Sequence, residues 1–443
     1  MAIFRTISRQ ALFALALMST AEFTQAQVVP GDAKPLCVFG ATELRDWFAT
    51  GSVTANGVVK RADSLRFTEG TEGDCAYYKW ATRMFLWLTS PAPGGGTTTD
   101  TSEFYSISAL VDGKRTLAQN GGGNSLLSLR AGKAVEEDGQ PGPRSVLMAR
   151  NGSLVYYSSQ MNDIFAHFLT TIKKGLLPSG PDLQLPTEQA ELDAVASAAG
   201  VNFQPNMLVL QTKSAWIETT GLDRSKYITT MAKVPSFDKS LGWRWTPDGN
   251  QPDTELALVG MHVVGTVKGR PDMVWATFEH VDNVPMATYS YIDVGDNFVN
   301  VNPQPGTWQF SGSNCAGTFN QERMHARNRP HIEAVDQTSG MGPSDTCRIN
   351  AWGSLAGSTS SYREDNTRII AVNNGAFGKL RNGDLRKNYM LIGATWNAGL
   401  GTNHLANTTL ETYVQGTNCF SCHNGRLTTG MLSHMWLPVL PLP

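Results

Sequence analysis

The sequence predicts an α+β fold in which helices pack on an antiparallel sheet core. Two β-rich runs, 256–265 and 273–280, flank a turn sequence with glycine and proline at 268–272, and an antiparallel hairpin is the simplest connection between such runs. Both faces of the first run are apolar, which predicts a central position for the hairpin in the sheet. An apolar pattern on nearly all sides over 75–88 predicts a helix buried in the core.

The other elements are each predicted from a local pattern. Apolar residues at helical spacing predict further helices at 41–48, 160–177, 188–199, 367–380 and 405–415. Short β-type runs predict strands at 145–148, 154–157, 207–217 and 389–396. Glycine and proline predict loops at 91–96, 120–124 and 139–143, and a long irregular stretch at 302–365.

The composition is that of a folded protein without a nucleic-acid partner. The 443 residues are 41% hydrophobic, which suffices for a packed core. The formal net charge of −2 leaves no basic field for binding nucleic acid. At about 150 residues per domain, the length allows two or three domains.

Residues 1–26 have the pattern of a secretory signal peptide. Arg5 and Arg9 precede an apolar run at 11–18, and small residues before and at Ala26 suit cleavage. We therefore expect a mature chain that begins after Ala26 and is periplasmic or secreted. No later segment holds eighteen uninterrupted apolar residues, so no transmembrane segment is predicted.

Four of the six cysteines are expected to form disulfides, because their number is even and the compartment is oxidising. Cys37, Cys75, Cys315 and Cys347 allow three connectivities. We predict nearest-neighbour pairing, Cys37 with Cys75 and Cys315 with Cys347. Buried free thiols are the alternative.

The most specific motif is C-x-x-C-H, formed near the C-terminus by Cys419, Cys422 and His423. In an exported protein this motif is typical of haem c attachment, since the thiols can bond the two vinyl groups while the adjacent imidazole reaches the iron. A thioredoxin-type dithiol competes, but it belongs after the first strand of a βαβ unit. A zinc site also competes, but His434 alone does not supply the missing ligand pair.

The position of the motif predicts how the chain is organised. Residues 27–400 are expected to form the α+β scaffold. Residues 401–443 are expected to be a haem c attachment segment docked on that scaffold, because the short tail after His423 cannot complete a haem pocket by itself. We expect His434 as the second axial ligand of the iron. The alternatives are Met431, Met435, His404, His262 and His280.

Three stretches of the sequence carry a family resemblance. Residues 405–413 ahead of the motif, together with 258–265 and 275–280 upstream, resemble a group of exported bacterial proteins labelled only as cytochrome c family. The resemblance implies one haem c per chain, attached at Cys419 and Cys422 and ligated by His423, and it implies electron transfer. It implies no substrate.

Three functions follow as hypotheses. The first is a monohaem c-type cytochrome that exchanges electrons with a redox partner protein or with a small-molecule donor or acceptor. The second is a haem-dependent periplasmic oxidoreductase or peroxidase-like enzyme, which the length of the chain favours although the sequence names no catalytic acid or base. The third is a non-haem secreted binding protein whose C-x-x-C is oxidised.

Overall fold

A computed structural model describes most of the chain outside the predicted signal peptide. The described residues are 29–63, 73–121, 127–128, 130–131, 145–180, 183–326, 330–355, 360–397, 399–423, 433 and 435–443. The predicted signal peptide, residues 1–26, lies outside them.

Helices and strands alternate irregularly along the described residues. The α-helices are α1 Glu43–Trp47, α2 Asp74–Leu88, α3 Asp163–Lys173, α4 Gln189–Ala199, α5 Ser360–Gly375 and α6 Cys419–Cys422. Short 3₁₀ turns occur at Thr98–Asp100, Arg224–Lys226, Phe377–Lys379, Leu385–Asn388 and Thr412–Val414. The first nine strands are β1 Phe104–Ile107, β2 Leu117–Gln119, β3 Leu127–Ser128, β4 Arg130–Ala131, β5 Ser145–Val146, β6 Tyr156–Asn162, β7 Leu210–Glu218, β8 Thr229–Lys233 and β9 Phe237–Leu241. The next nine are β10 Arg244–Pro247, β11 Asp253–Val267, β12 Arg270–His280, β13 Tyr289–Ile292, β14 Phe298–Val301, β15 Met324–His325, β16 Ile332–Ala334, β17 Tyr389–Trp396 and β18 Leu400–Gly401.

The predicted hairpin is the centre of a large sheet. Strands β11 and β12 pair antiparallel, with His262 opposite Thr277 and Val264 opposite Trp275. The main path of the sheet runs β18-β17-β12-β11-β7-β6-β1-β2, so the hairpin has neighbours on both sides. The α+β class, the antiparallel pairing and the central position of the hairpin are confirmed.

One face of this sheet is covered by helices. Helix α2 is buried along most of its length, and its Phe85 ring stacks on Phe278 of β12 with ring centroids 4.3 Å apart. Helix α5 contacts both α2 and β17. This packing explains why the sequence of α2 is apolar on nearly every side.

Part of the opposite face of the sheet is covered by a largely irregular segment, while helix α3 packs near Val264 and Trp275 on the same face. Adjacent strand residues point to opposite faces, so Phe278 faces α2 while Thr277 and Glu279 face the other way. There they meet the stretch 403–418, called the cover segment below: Asn407 Nδ2 donates to Thr277 Oγ1 at 2.9 Å, and the backbone N–H of Thr408 donates to Glu279 Oε1 at 2.7 Å.

The predicted helix over 405–415 is wrong, because only a 3₁₀ turn at Thr412–Val414 forms there. Asn407 and Thr409 are fully buried, and Thr409 donates its N–H and its hydroxyl to Asn407 Oδ1 at 2.9 and 2.7 Å. Such local side-chain bonds compete with helix formation. The cover segment therefore follows the sheet rather than its own helical pattern.

Other predicted elements occur with shifted boundaries. Helix α3 begins at Asp163 because β6 continues through Asn162, whose side chain caps the helix by accepting from the Phe165 N–H at 3.3 Å. Helix α5 begins at Ser360, earlier than the predicted residue 367. The described residues of the stretch 302–365 are largely irregular, as predicted.

Both predicted disulfides are confirmed. Cys37 bonds Cys75, and Cys315 bonds Cys347. Two disulfides are compatible with a protein exported to an oxidising compartment. None of the helices in the described part of the chain has the length and hydropathy needed to span a bilayer.

Candidate functional site

A cleft lies between the cover segment and the central strands. It is partly open to solvent, and its lining combines apolar side chains with a few polar groups, as ligand and cofactor sites do. Strands β7, β11 and β12 contribute its sheet side, and the cover segment and the C-x-x-C-H motif contribute the other side.

The motif forms one helical turn at the edge of this cleft. The Asn418 side chain caps the turn by accepting from the Ser421 N–H at 2.8 Å, and the His423 N–H donates to the Cys419 carbonyl at 2.9 Å. Cys419 and His423 both line the cleft. The side chain of Cys422 lies outside the described part of the structure.

An aromatic contact joins His423 to the sheet. Its imidazole packs against the indole of Trp275 in β12, with ring centroids 4.3 Å apart, and Phe420 approaches the same indole edge-on at 6.4 Å. Trp275 is only 8% exposed, and its Nε1 has no hydrogen-bond partner among the described residues. The sheet therefore presents a flat apolar surface, with an unsatisfied donor, beside the motif histidine.

Apolar side chains make up one part of the lining. They come from β11, the cover segment and the C-terminal tail, and are Val264, Leu405, Ala406, Val414 and Met435. The tail that carries Met435 is fixed: Arg115 N–H donates to the Pro438 carbonyl at 2.8 Å, and Leu442 N–H donates to Thr170 Oγ1 at 3.0 Å.

A polar cluster occupies another part of the lining. His262 Nε2 lies 2.8 Å from Glu411 Oε2, and Lys213 Nζ lies 4.0 Å from Glu411 Oε1. All three side chains line the cleft. Lys213 and His262 are directly opposed in β7 and β11, so the sheet register brings the two bases together beneath the carboxylate of the cover segment.

Two of the other candidate ligands are not part of the lining of the cleft. His280 is fully buried: its Nε2 donates to the Lys226 carbonyl and its Nδ1 accepts from the Asp282 N–H, each at 3.1 Å. Burial lowers the pKa of His280 to about 4, which keeps the ring neutral. His404 is half-buried, and burial lowers its pKa. Neither residue lines the cleft.

The structure thus brings together four of the residues that the sequence singled out, namely Cys419, His423, His262 and Met435. Met431 and His434, the latter the expected second ligand, lie outside the described residues.

Sequence reasoning missed Lys213, Trp275 and Glu411. A lysine inside the apolar run 207–217 was the available signal for Lys213. Glu411 carried no such signal, because its partner His262 lies 149 residues away in the sequence.

The residues present fit a haem c group. A macrocycle needs an apolar, aromatic-lined space, and its acidic edge needs polar or basic neighbours; Trp275 and the apolar lining supply the first and Lys213 the second. Within the described residues, no group of three or more His, Cys, Asp or Glu side chains is arranged to hold a bare metal ion. Haem iron is compatible with that arrangement, because the porphyrin supplies four ligands and the protein only one or two.

Comparison with family models, with curated proteins and with solved structures found no match for this chain. A functional proposal therefore depends on the site itself.

Proposed function

We propose that the protein is an exported monohaem c-type cytochrome, which transfers electrons through a haem c bound at Cys419, Cys422 and His423. One observation carries the proposal: Cys419 and His423 of the C-x-x-C-H motif line a cleft whose other side is the central sheet. A motif on an arbitrary surface loop would have no reason to lie in the lining of a cleft with apolar, aromatic and basic side chains.

The chain's own residues have distinct roles in this proposal. The thiols of Cys419 and Cys422 anchor the cofactor, and the His423 imidazole is its proximal ligand. The indole of Trp275, 4.3 Å from the His423 ring, limits rotation of that ring. When bound, haem c supplies a reversible one-electron couple, and burial and hydrogen bonds of the surrounding residues tune its potential.

The exposure of the motif supports electron exchange at the surface. Cys419, Phe420 and His423 are partly exposed and Ser421 is exposed, so the edge of the site beside the motif faces solvent. A redox partner protein, or a small-molecule donor or acceptor, can approach that edge without opening the scaffold. The donor loses one electron and the acceptor gains one, with no bond made or broken.

The test is an absorbance spectrum of protein produced in a host with haem c maturation machinery. We expect a reduced-minus-oxidised haem spectrum that survives denaturation and organic extraction, because the attachment is covalent. Cys419→Ala combined with Cys422→Ala should abolish it. Ser421→Ala is the matched control, since this exposed motif residue supplies no attachment atom and should retain the spectrum.

A colourless parent protein from such a host would contradict the proposal. So would a haem that is extracted from the parent as easily as from the double alanine variant. Either result would favour the non-haem binding protein, in which the cysteines are oxidised.

A further inference from the structure

We propose that His262, oriented by Glu411, is the sixth ligand of the haem iron and binds it from the sheet side of the cleft. This inference rests on the proposed function, because it concerns the second axial position of the same cofactor. Its evidence is independent of the motif, since it comes from β11 and the cover segment.

The first step concerns which ring nitrogen of His262 is available. Glu411 Oε2 lies 2.8 Å from Nε2, and a carboxylate can only accept, so Nε2 carries the proton. In a neutral imidazole the other nitrogen, Nδ1, then has the free lone pair. The described residues make no hydrogen bond to Nδ1, while the ring itself lines the cleft.

The second step concerns the carboxylate. Histidines that ligate metals almost always donate their other N–H to a carboxylate, a carbonyl or water, which fixes the ring and raises its basicity. Glu411 is itself held, because its Oε2 also accepts from the Asn407 N–H at 3.2 Å and its backbone N–H donates to the Asn407 carbonyl at 2.7 Å. The pair therefore has the arrangement of a ligand and its supporting group.

The third step concerns where His262 lies relative to the motif. Since Thr277 opposes His262 and Trp275 opposes Val264, His262 and Trp275 are diagonal neighbours on one face of the sheet, about 7–8 Å apart. The ring of His423 packs on Trp275. His262 is thus displaced along the strand from the motif histidine, and both border the same cleft.

Met435 is the competing residue at the cleft, and its surroundings argue against it. It is 2% exposed and belongs to the apolar cluster that contains Trp275 and against which Phe420 packs. That cluster includes Trp275, the residue on which the His423 ring packs. His262 instead sits in the polar part of the lining, held by a hydrogen bond from a different segment.

The experiment compares the ferric spin state of the parent with that of His262→Ala, by absorbance and electron paramagnetic resonance. We expect a low-spin parent and a high-spin His262→Ala protein, with added imidazole restoring the low-spin signal. His404→Ala is the matched control, because this half-buried histidine does not line the cleft, and it should keep the parent spectrum.

Two further variants test whether the effect of His262→Ala comes from misfolding and what Glu411 contributes. His262→Met keeps a long side chain at the position and should retain a six-coordinate iron with a raised reduction potential. Glu411 is a positioning residue, so Glu411→Gln should keep the low-spin state and raise the potential, because a neutral amide makes His262 a weaker donor.

The outcomes separate this inference from the proposed function. A parent without covalent haem overturns the function. Covalent haem with an unchanged low-spin spectrum in His262→Ala, or with a high-spin parent, overturns only the ligand assignment. A low-spin spectrum lost in Met435→Leu but kept in His262→Ala would assign the position to Met435 instead.

Discussion

Glu279→Gln is expected to lower the free energy of unfolding by about 3–5 kcal/mol, the usual effect of removing one partner from a buried ion pair. Glu279 and Arg348 are 0% and 1% exposed. Arg348 Nη1 donates to Glu279 Oε1 at 2.6 Å, and Nη2 donates to the second carboxylate oxygen. The amide leaves the guanidinium buried without its counter-charge.

The same substitution should loosen the cover segment. Glu279 accepts from the Thr408 N–H at 2.7 Å and from the Thr408 hydroxyl, and it is the main charged anchor of 403–418 on β12. Removal of the carboxylate charge weakens both bonds. We expect faster hydrogen–deuterium exchange in 403–418, whereas exchange in the buried helix α2 should change only with global stability.

The assay is urea unfolding at 25 °C with disulfides intact, followed by tryptophan fluorescence and circular dichroism. Glu364→Gln is the control, because its pair with Arg368 at 3.1 Å is solvent-exposed and should contribute only about 0.5 kcal/mol or less. Replacing both Glu279 and Arg348 by methionine should destabilise less than Glu279→Gln does, since no charge stays buried. A loss below about 1 kcal/mol in Glu279→Gln would refute the reasoning.

Three further predictions concern packing, cross-linking and pH. Gly260→Ala should destabilise by about 1–3 kcal/mol, because its Cβ would lie 2.2 Å from a buried hydroxyl of the cover segment, whereas Gly242→Ala, which meets nothing within 4 Å, should be neutral in the same urea assay. Replacing Cys315 and Cys347 by alanine should lower stability by about 4 kcal/mol by the loop-closure relation for a separation of 32 residues, and an equal melting temperature would contradict it. Burial raises the pKa of Asp63 from 3.8 to about 6, so the folded state binds the proton more tightly and stability falls as pH rises from about 4 to 6. Asp63→Asn should remove the contribution of Asp63 to that slope, about 3 kcal/mol in size, while Asp163, whose pKa burial also raises to about 6, keeps its own contribution. An identical pH profile in the two proteins would exclude this origin.

Local patterns predicted those parts of the fold whose information lies close together in the sequence. The hairpin follows from two β-rich runs around one turn, and helix α2 from a sequence that is apolar on nearly all sides. Both disulfides follow from cysteine number and nearest-neighbour pairing. One short stretch decides the hairpin and one decides helix α2, whereas cysteine number alone leaves three connectivities and the nearest-neighbour assumption selects one of them.

The cover segment could not be predicted in that way. Its apolar residues have helical spacing, yet Asn407, Thr408 and Thr409 find hydrogen-bond partners in the sheet and within the segment, and these determine its path. The partner strand is β12, which is distant in the sequence: Asn407 and Thr277 are separated by 130 positions. Tertiary contacts of this kind override local propensity.

The candidate site was predicted in part. The motif named Cys419, Cys422 and His423, and His262 was among the alternative axial ligands. The sequence ranked His262 below His434, because only the register of β11 and the path of the cover segment bring His262 to Glu411 and to the cleft.

Intact-protein mass spectrometry under denaturing conditions tests the central claim most directly. Protein from a haem c maturation host should have the mass of the processed polypeptide plus one haem, and the Cys419→Ala, Cys422→Ala variant should have the mass of its polypeptide alone. A parent whose mass is that of the polypeptide without the haem would contradict the account.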